Sequence, residues 1–309
     1  MGQLINGKWD KSSNFKTDKT GKFSRQESKF NHTISKNNPD FMPESNRYHL
    51  YVSHACPWAH RVMIIRSLKE LTNHIQVSVV CPDMLENGWT FSKNHPPATG
   101  DSLYGLNYLY QLYQKADPTI TTRVTVPVLW DKKKQSIVNN ESSQILRILN
   151  SEFNELTGNH EDYYPLNRQT EIDSWNDKIY KNINNGVYLC GFASTQEAYE
   201  EAIESLFTTL DSLDEHFKTQ EFLVDNEMTE ADIRLITTLI RFDCVYHTHF
   251  KCNIKRIKDY KYLYAYLERL RTIPAIQSTT YIDHIKRHYY FSHTHINPTQ
   301  IIAKGPSEY

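Results

Sequence analysis

The sequence lacks any apolar run approaching the ~18 consecutive residues of a membrane span, so no transmembrane helix is expected. It also lacks net charge. Lys and Arg number 35 against 36 Asp and Glu, a formal charge of −1. Phosphate neutralisation needs surplus cations, so a nucleic-acid partner held by a general basic field is excluded. Cysteine is sparse: five residues, Cys56, Cys81, Cys190, Cys244 and Cys252, odd in number and scattered. That excludes a disulfide framework and implies a reducing, cytoplasmic setting. The opening residues, Met1 to Asn6, hold no signal-peptide core and no Ser or Thr at position 6 for myristoylation. Internal repeats and low-complexity tracts are absent.

What is present is 309 residues, a length that suits two domains. Only 39% of residues are hydrophobic, but 20 Tyr, 13 Phe and 5 Trp supply large burial areas, so the chain can fold. Residues 1–45 read as a polar extension, although Trp9, Phe15, Phe23 and Phe30 are spaced as if it lies over a surface. From Arg47 the texture changes. Tyr48 to Val52 reads as a strand, and Trp58 to Leu68 as a helix. Ile75 to Val80 is a second strand, and Tyr104 to Lys115 a helix. Val124 to Trp130 and Ser136 to Val138 are two more strands. A helix then opens at Glu141-Ser142-Ser143. The order is β-α-β-α-β-β-α. Beyond about residue 160 only helical patterns recur, near 167–185, 195–217, 230–248, 260–271 and 279–288, with a capping box at Thr229 to Asp232. The expected architecture is α/β followed by all-α. Its divisions are 1–45 (extension), 46–158 (α/β), 159–290 (all-helical) and 291–309 (tail).

Cys56 stands where a strand hands over to a helix, with Pro57 at the first helical position. Backbone N–H groups and the helix dipole favour thiolate there, and such sites lower a cysteine pKa from ~8.5 to ~3.5–7.5. The following residues are Pro57-Trp58-Ala59, so no resolving cysteine completes a C-x-x-C pair. A lone thiolate can hold a mixed disulfide but needs an external thiol for release. The rival reading is a buried, inert thiol. Val126-Pro127 opens the third strand of the α/β domain, the thioredoxin-type arrangement, where Val126 can pair with the backbone of a cysteine-containing peptide. Ser142, with the N-terminus of its helix, suits a ligand carboxylate, and Glu141 suits an amine. These are the groups of glutathione. The alternative is that Glu141 and Ser142 merely cap the helix.

Longer motifs carry a resemblance. They are Cys56-Pro57-Trp58-Ala59-His60-Arg61, Gly88-Trp89-Thr90-Phe91, Arg123 to Asp131, and Asn140-Glu141-Ser142-Ser143. Further matches are Asn185-Gly186-Val187-Tyr188, Arg241-Phe242-Asp243 with Tyr246, His288-Tyr289-Tyr290, and Ile296-Asn297-Pro298-Thr299. Together they resemble the glutathionyl-hydroquinone reductases, also called Xi-class glutathione transferases. The resemblance implies a thioredoxin-like domain followed by an all-helical glutathione-transferase domain. It implies reduction of glutathionyl-hydroquinones through a Cys56–glutathione mixed disulfide, with glutathione as cosubstrate and no permanently bound cofactor. It assigns glutathione to Trp89, Arg123, Val126, Glu141 and Ser142, and the hydroquinone to Tyr188, Tyr246 and Tyr289. Tyr188 is the first choice as proton donor and Tyr289 the second. A homodimer is expected.

Rival functions are a conjugating transferase, a general thiol transferase or dehydroascorbate reductase of the omega kind, and a non-catalytic interaction protein. Cysteine in place of an activating Ser or Tyr disfavours the first. His54, two residues before Cys56, is read as facing solvent in preference to lying beside the thiolate. His284 and His288 have i, i+4 spacing and His293 and His295 follow, but a metal role is rejected.

Overall fold

The computed structural model describes residues 2–12, 20–22 and 28–306. In chain order the elements begin with the strands β1 (Gln3–Ile5), β2 (Lys8–Asp10) and β3 (Tyr48–Val52), then helix α1 (Pro57–Leu68). Next come β4 (Gln76–Val79), β5 (Met84–Leu85), β6 (Gly88–Trp89) and α2 (Leu109–Ala116). They are followed by β7 (Val128–Asp131), β8 (Ser136–Asn139), α3 (Ser142–Ser151) and α4 (Asn154–Thr157). The remaining elements are helices: α5 (Gln169–Ile179), α6 (Gly186–Phe192), α7 (Gln196–His216), α8 (Glu230–Arg241) and α9 (His247–His249), then α10 (Lys261–Arg271), α11 (Pro274–Gln277) and α12 (Ile282–Ser292). By their contacts, residues 2–12, 28–161 and 283–292 form one unit, and residues 20–22, 162–282 and 293–306 another.

The first unit is built on a four-stranded sheet ordered β4-β3-β7-β8. β4 runs parallel to β3, and β7 and β8 run antiparallel to their neighbours. This is the mixed thioredoxin-like sheet that the β-α-β-α-β-β-α order requires. All five residues of the central strand β3 are buried. Each such apolar side chain contributes roughly 1.5–3 kcal/mol relative to exposure. The third strand begins at Val128, not at the expected Val124. Pro127 has no N–H to give to a ladder, so pairing starts after it. The Val126–Pro127 peptide is cis.

The N-terminal residues do more than lie over the surface. β1 and β2 form a hairpin, and Leu4 exchanges two backbone hydrogen bonds with Thr122, at 2.9 and 3.0 Å. Farther on, the N–H of His32 donates to Val138 O at 3.0 Å, and the N–H of Asn140 to Phe30 O at 3.1 Å. This segment covers the outer edge of β8, an edge that would otherwise invite pairing with another chain. Of the four aromatics singled out in the extension, Phe15 and Phe23 lie outside the described residues.

The sheet also buries His49, whose ring bonds Ser78 Oγ at 2.9 Å through Nε2. Burial pushes its pKa down from 6.5 to about 4, with Lys132 adding to the effect. The depressed folded value means this neutral imidazole stabilises the protein above pH 6.5, and the benefit is lost as pH falls toward 4. Relative to a His49→Leu variant, wild type is expected to lose up to about 3 kcal/mol between pH 7 and pH 4. Urea denaturation at several pH values measures this, and parallel curves for the two proteins would refute it.

The second unit is helical. Thr229 and Asp232 form the expected capping box at the start of α8, with the N–H of Thr229 donating to Asp232 Oδ2 at 2.9 Å. The phenol of Tyr266 donates to the other carboxylate oxygen at 2.8 Å. Two π-helical turns, Tyr180–Asn184 and Phe242–Tyr246, interrupt stretches that read as continuous helices in sequence. The side-chain amide of Asn184 donates to Arg234 O and Thr238 Oγ1 at 3.0 and 2.8 Å, holding the first widened turn. α6, which no sequence pattern announced, follows that turn.

One helix changes company. The sequence reading runs the helical domain to residue 290, but residues 283–292 of α12 group with the first unit. The cause is polar. Arg287 donates to both oxygens of Asp83 at 2.7 and 2.9 Å, and Ser292 Oγ accepts from the N–H of Met84 at 2.9 Å.

Candidate functional site

Cys56 is the N-cap of α1 and has extended backbone. Its carbonyl accepts the first helical hydrogen bond, from the N–H of His60 at 2.9 Å. Pro57 fills the first helical position at no cost in lost N–H bonding. The sulfur therefore sits at the positive end of a 12-residue helix, which favours its anion. It is partly exposed, unlike the other four cysteines, all of which are buried. In the thiol form it reaches Val126 O at 3.6 Å. Cys56 and Val126 thus meet as the sequence order predicts.

Glu141 is the N-cap of α3, and its Oε1 accepts from the N–H and Oγ of Ser143, both at 3.1 Å. The cap reading is therefore correct as far as Oε1 goes. Oε2 points elsewhere and accepts from Ser28 Oγ at 3.3 Å. Ser142 is buried at the first position of α3. Arg123 is half-buried in the segment leading to Val126. Both ends of that segment are anchored, by Leu4 on Thr122 and by Tyr113 on Thr125. The Tyr113 phenol is fully buried, donates to Thr125 O at 2.9 Å and accepts from Asn140 Nδ2 at 3.2 Å. Tyr113 thereby ties the Val126 loop to the residue before Glu141, a role that no motif signalled.

Trp89 lies on the two-residue strand β6 and is 7% exposed. Its ring stacks on His288 of α12, with centroids 4.7 Å apart and planes 20° apart. Tyr289, the next residue of α12, is buried. Cys56, Trp89, Arg123, Val126, Glu141, Ser142 and Tyr289 all belong to the first unit. Tyr188 and Tyr246 belong to the second. There they approach each other, centroids 6.1 Å apart, and Phe250 packs against both at 5.4 Å. Tyr246 is fully buried, whereas Tyr188 is half-buried.

His54 corrects an expectation. It does not face solvent: it is buried at 7% exposure, its ring 5.6 Å from that of His284. Burial lowers the pKa of His284, whose Nε2 bonds the carbonyls of His95 and Pro96. His288 bonds Pro82 O through Nδ1 at 2.8 Å. The i, i+4 histidines thus serve backbone carbonyls. Among the described residues, one set with metal-binding spacing is Cys81, Asp83 and His95, with donor atoms within 4.8 Å of one another. Burial raises Asp83, but the bidentate Arg287 outweighs it and holds the carboxyl below its usual range. A guanidinium is therefore the cation already paired with that carboxylate.

Similarity to known proteins follows the same outline. Residues 55–152 match the glutathione S-transferase N-terminal domain, and residues 196–269 the glutathione S-transferase C-terminal domain. Glutathionyl-hydroquinone reductase YqjG of Escherichia coli is 51% identical over 99% of this chain and 95% of its own length. Glutathionyl-hydroquinone reductase PcpF of Sphingobium chlorophenolicum is 49% identical over 100% of this chain and 97% of its own. The glutathione-bound structure of YqjG superposes with a TM-score of 0.92 at 49% identity, covering 100% of this chain and 96% of that one.

Proposed function

This chain belongs to the glutathionyl-hydroquinone reductase, or Xi-class, family of glutathione transferases, and we propose that it reduces glutathionyl-hydroquinones with glutathione as cosubstrate. The observation that carries this reading is the partly exposed Cys56 at the N-terminus of α1, 3.6 Å from Val126 O. The Cys56 thiolate attacks the sulfur of the conjugate. The aryl carbon–sulfur bond breaks, its electron pair goes to the ring carbon, and that carbon takes a proton. Hydroquinone leaves, and a Cys56–glutathione disulfide remains. A second glutathione thiolate attacks the glutathione sulfur of this disulfide, restoring the Cys56 thiolate and releasing glutathione disulfide.

Trp89, Arg123, Val126, Glu141 and Ser142 are the proposed glutathione contacts. Arg123 supplies a cation for a carboxylate, and Glu141 an anion for the amine. The half-buried Tyr188 is the proposed proton donor, since charge builds on the leaving carbon and a phenol can both donate and stack. The resemblance further assigns Tyr246 and Tyr289 to the hydroquinone. The five free thiols support a reducing, cytoplasmic setting. No helix among the described residues is long and apolar enough to cross a membrane. The family resemblance supports a homodimer, which sedimentation tests.

Product analysis tests the function. Glutathionyl-menadiol and glutathione are expected to give menadiol and glutathione disulfide in equal amounts. Conjugation of glutathione to an aryl halide as the dominant activity would overturn the reading.

A further inference from the structure

The hairpin that carries Trp89 is gripped by both ends of the chain. β5 and β6 have two residues each, and so small a hairpin is not stable alone. On one side lies Trp9, whose Nε1 donates to Glu86 O at 3.1 Å. Gly88 has φ +66°, and a Cβ there would come within 2.9 Å of Trp9 Cη2. On the other side lies α12. Arg287 fixes the helix to Asp83, and Ser292 accepts from the N–H of Met84. The turn is thus held in place, and what remains is the plane of the Trp89 indole. That plane lies against His288 at 4.7 Å and 20°. The imidazole is itself fixed by its 2.8 Å bond to Pro82 O.

We propose that His288 is a positioning residue for glutathione: its ring sets the orientation of Trp89, so that α12, the carrier of Tyr289, also completes the thiol-binding side of the site. Adjacent residues of one helical turn then serve the two halves of the conjugate. The inference rests on the reading of Trp89 as a glutathione contact. It adds the device that orients it. Neither sequence pattern nor charge pointed to this role, because the stack joins residues 199 positions apart in the chain.

The test compares His288→Ala, His288→Phe, His288→Gln and Trp89→Ala in the full protein, with KM for glutathione and kcat measured separately. An aromatic pair is worth enough that His288→Ala should raise KM about tenfold. Its kcat at saturating glutathione should stay within about twofold. His288→Phe keeps a ring on Trp89, and Ser292 Oγ still donates to Pro82 O at 3.3 Å. It should restore KM to within about threefold of wild type, whereas His288→Gln, which has no ring, should not. The Phe-against-Gln order decides the matter even if the alanine variant is unstable. Trp89→Ala raising KM while His288→Ala does not would overturn the positioning role and leave Trp89 as a contact. An unchanged KM in Trp89→Ala would overturn both. Loss of stability with KM unchanged in every His288 variant would make the stack merely structural and refute the proposal.

Discussion

Cys56→Ala is expected to abolish glutathione-dependent reduction of glutathionyl-menadiol, a fall of about a thousandfold or more, as for loss of a covalent nucleophile. The size of the effect follows from the absence of a substitute. Cys81 is 2% exposed and its thiol is raised by burial. Cys190, Cys244 and Cys252 are buried in the second unit, and burial raises Cys252 well above the ordinary thiol value. A thiol kept protonated in a core does not attack sulfur. The fold should tolerate the change, because Cys56 is partly exposed and the contact of its sulfur to Val126 O is long, at 3.6 Å. Circular dichroism and thermal melting check that point. Substantial turnover by a folded Cys56→Ala protein would refute the mechanism. Cys56→Ser places a hydroxyl at the helix end, and the expectation there is weak conjugating activity in place of reduction.

Gly191→Ala is expected to disturb the aromatic cluster of Tyr188, Tyr246 and Phe250. A Cβ at Gly191 would lie 2.3 Å from the Cγ and Cδ1 atoms of Phe250 and 2.9 Å from its Cβ. Phe250 is fully buried, so it has nowhere to go. Overpacking of this kind costs about 1–3 kcal/mol. Phe250 lies nearly parallel to Tyr246, at 15°, and also packs on Tyr188. A shift of its ring therefore moves both tyrosines. The expected result is a lower melting temperature together with reduced turnover of glutathionyl-menadiol. The rate of Cys56 alkylation by iodoacetamide should be nearly that of wild type, because the damage lies in the other unit. Wild-type stability and turnover would show that the packing around Phe250 yields more easily than its contacts indicate.

The parts legible in sequence are those specified by local chemistry. Pro57 after Cys56 announces a helix start, and the cap is there. Val126-Pro127 is read as the opening of the third strand beside the cysteine, and the sulfur does meet Val126 O, although the strand itself begins only at Val128. Thr229 and Asp232 announce a capping box, and it forms. The parts that escaped depend on distant partners. The pattern near 230–248 reads as one helix because a π turn leaves the apolar spacing almost intact, yet that turn ends on Tyr246. His54 looks like a surface residue beside a polar strand end until α12 brings His284 against it. α12 has the periodicity of any amphipathic helix, and partners some two hundred residues earlier, Pro82, Asp83, Met84 and Trp89 among them, draw it into the first unit. Tyr113 is one of 20 tyrosines, and nothing in its neighbours in sequence marks it as the tie between the Val126 loop and Asn140.

The central claim is that Cys56 itself takes the glutathionyl group from the conjugate. A single turnover without free glutathione tests it most directly. Protein mixed with glutathionyl-menadiol should release one menadiol per active site while mass spectrometry finds one glutathionyl group on the Cys56 peptide. Adding glutathione should then remove the adduct and yield glutathione disulfide. Menadiol release with no adduct, an adduct on any other cysteine, or no release until glutathione is added would contradict the account.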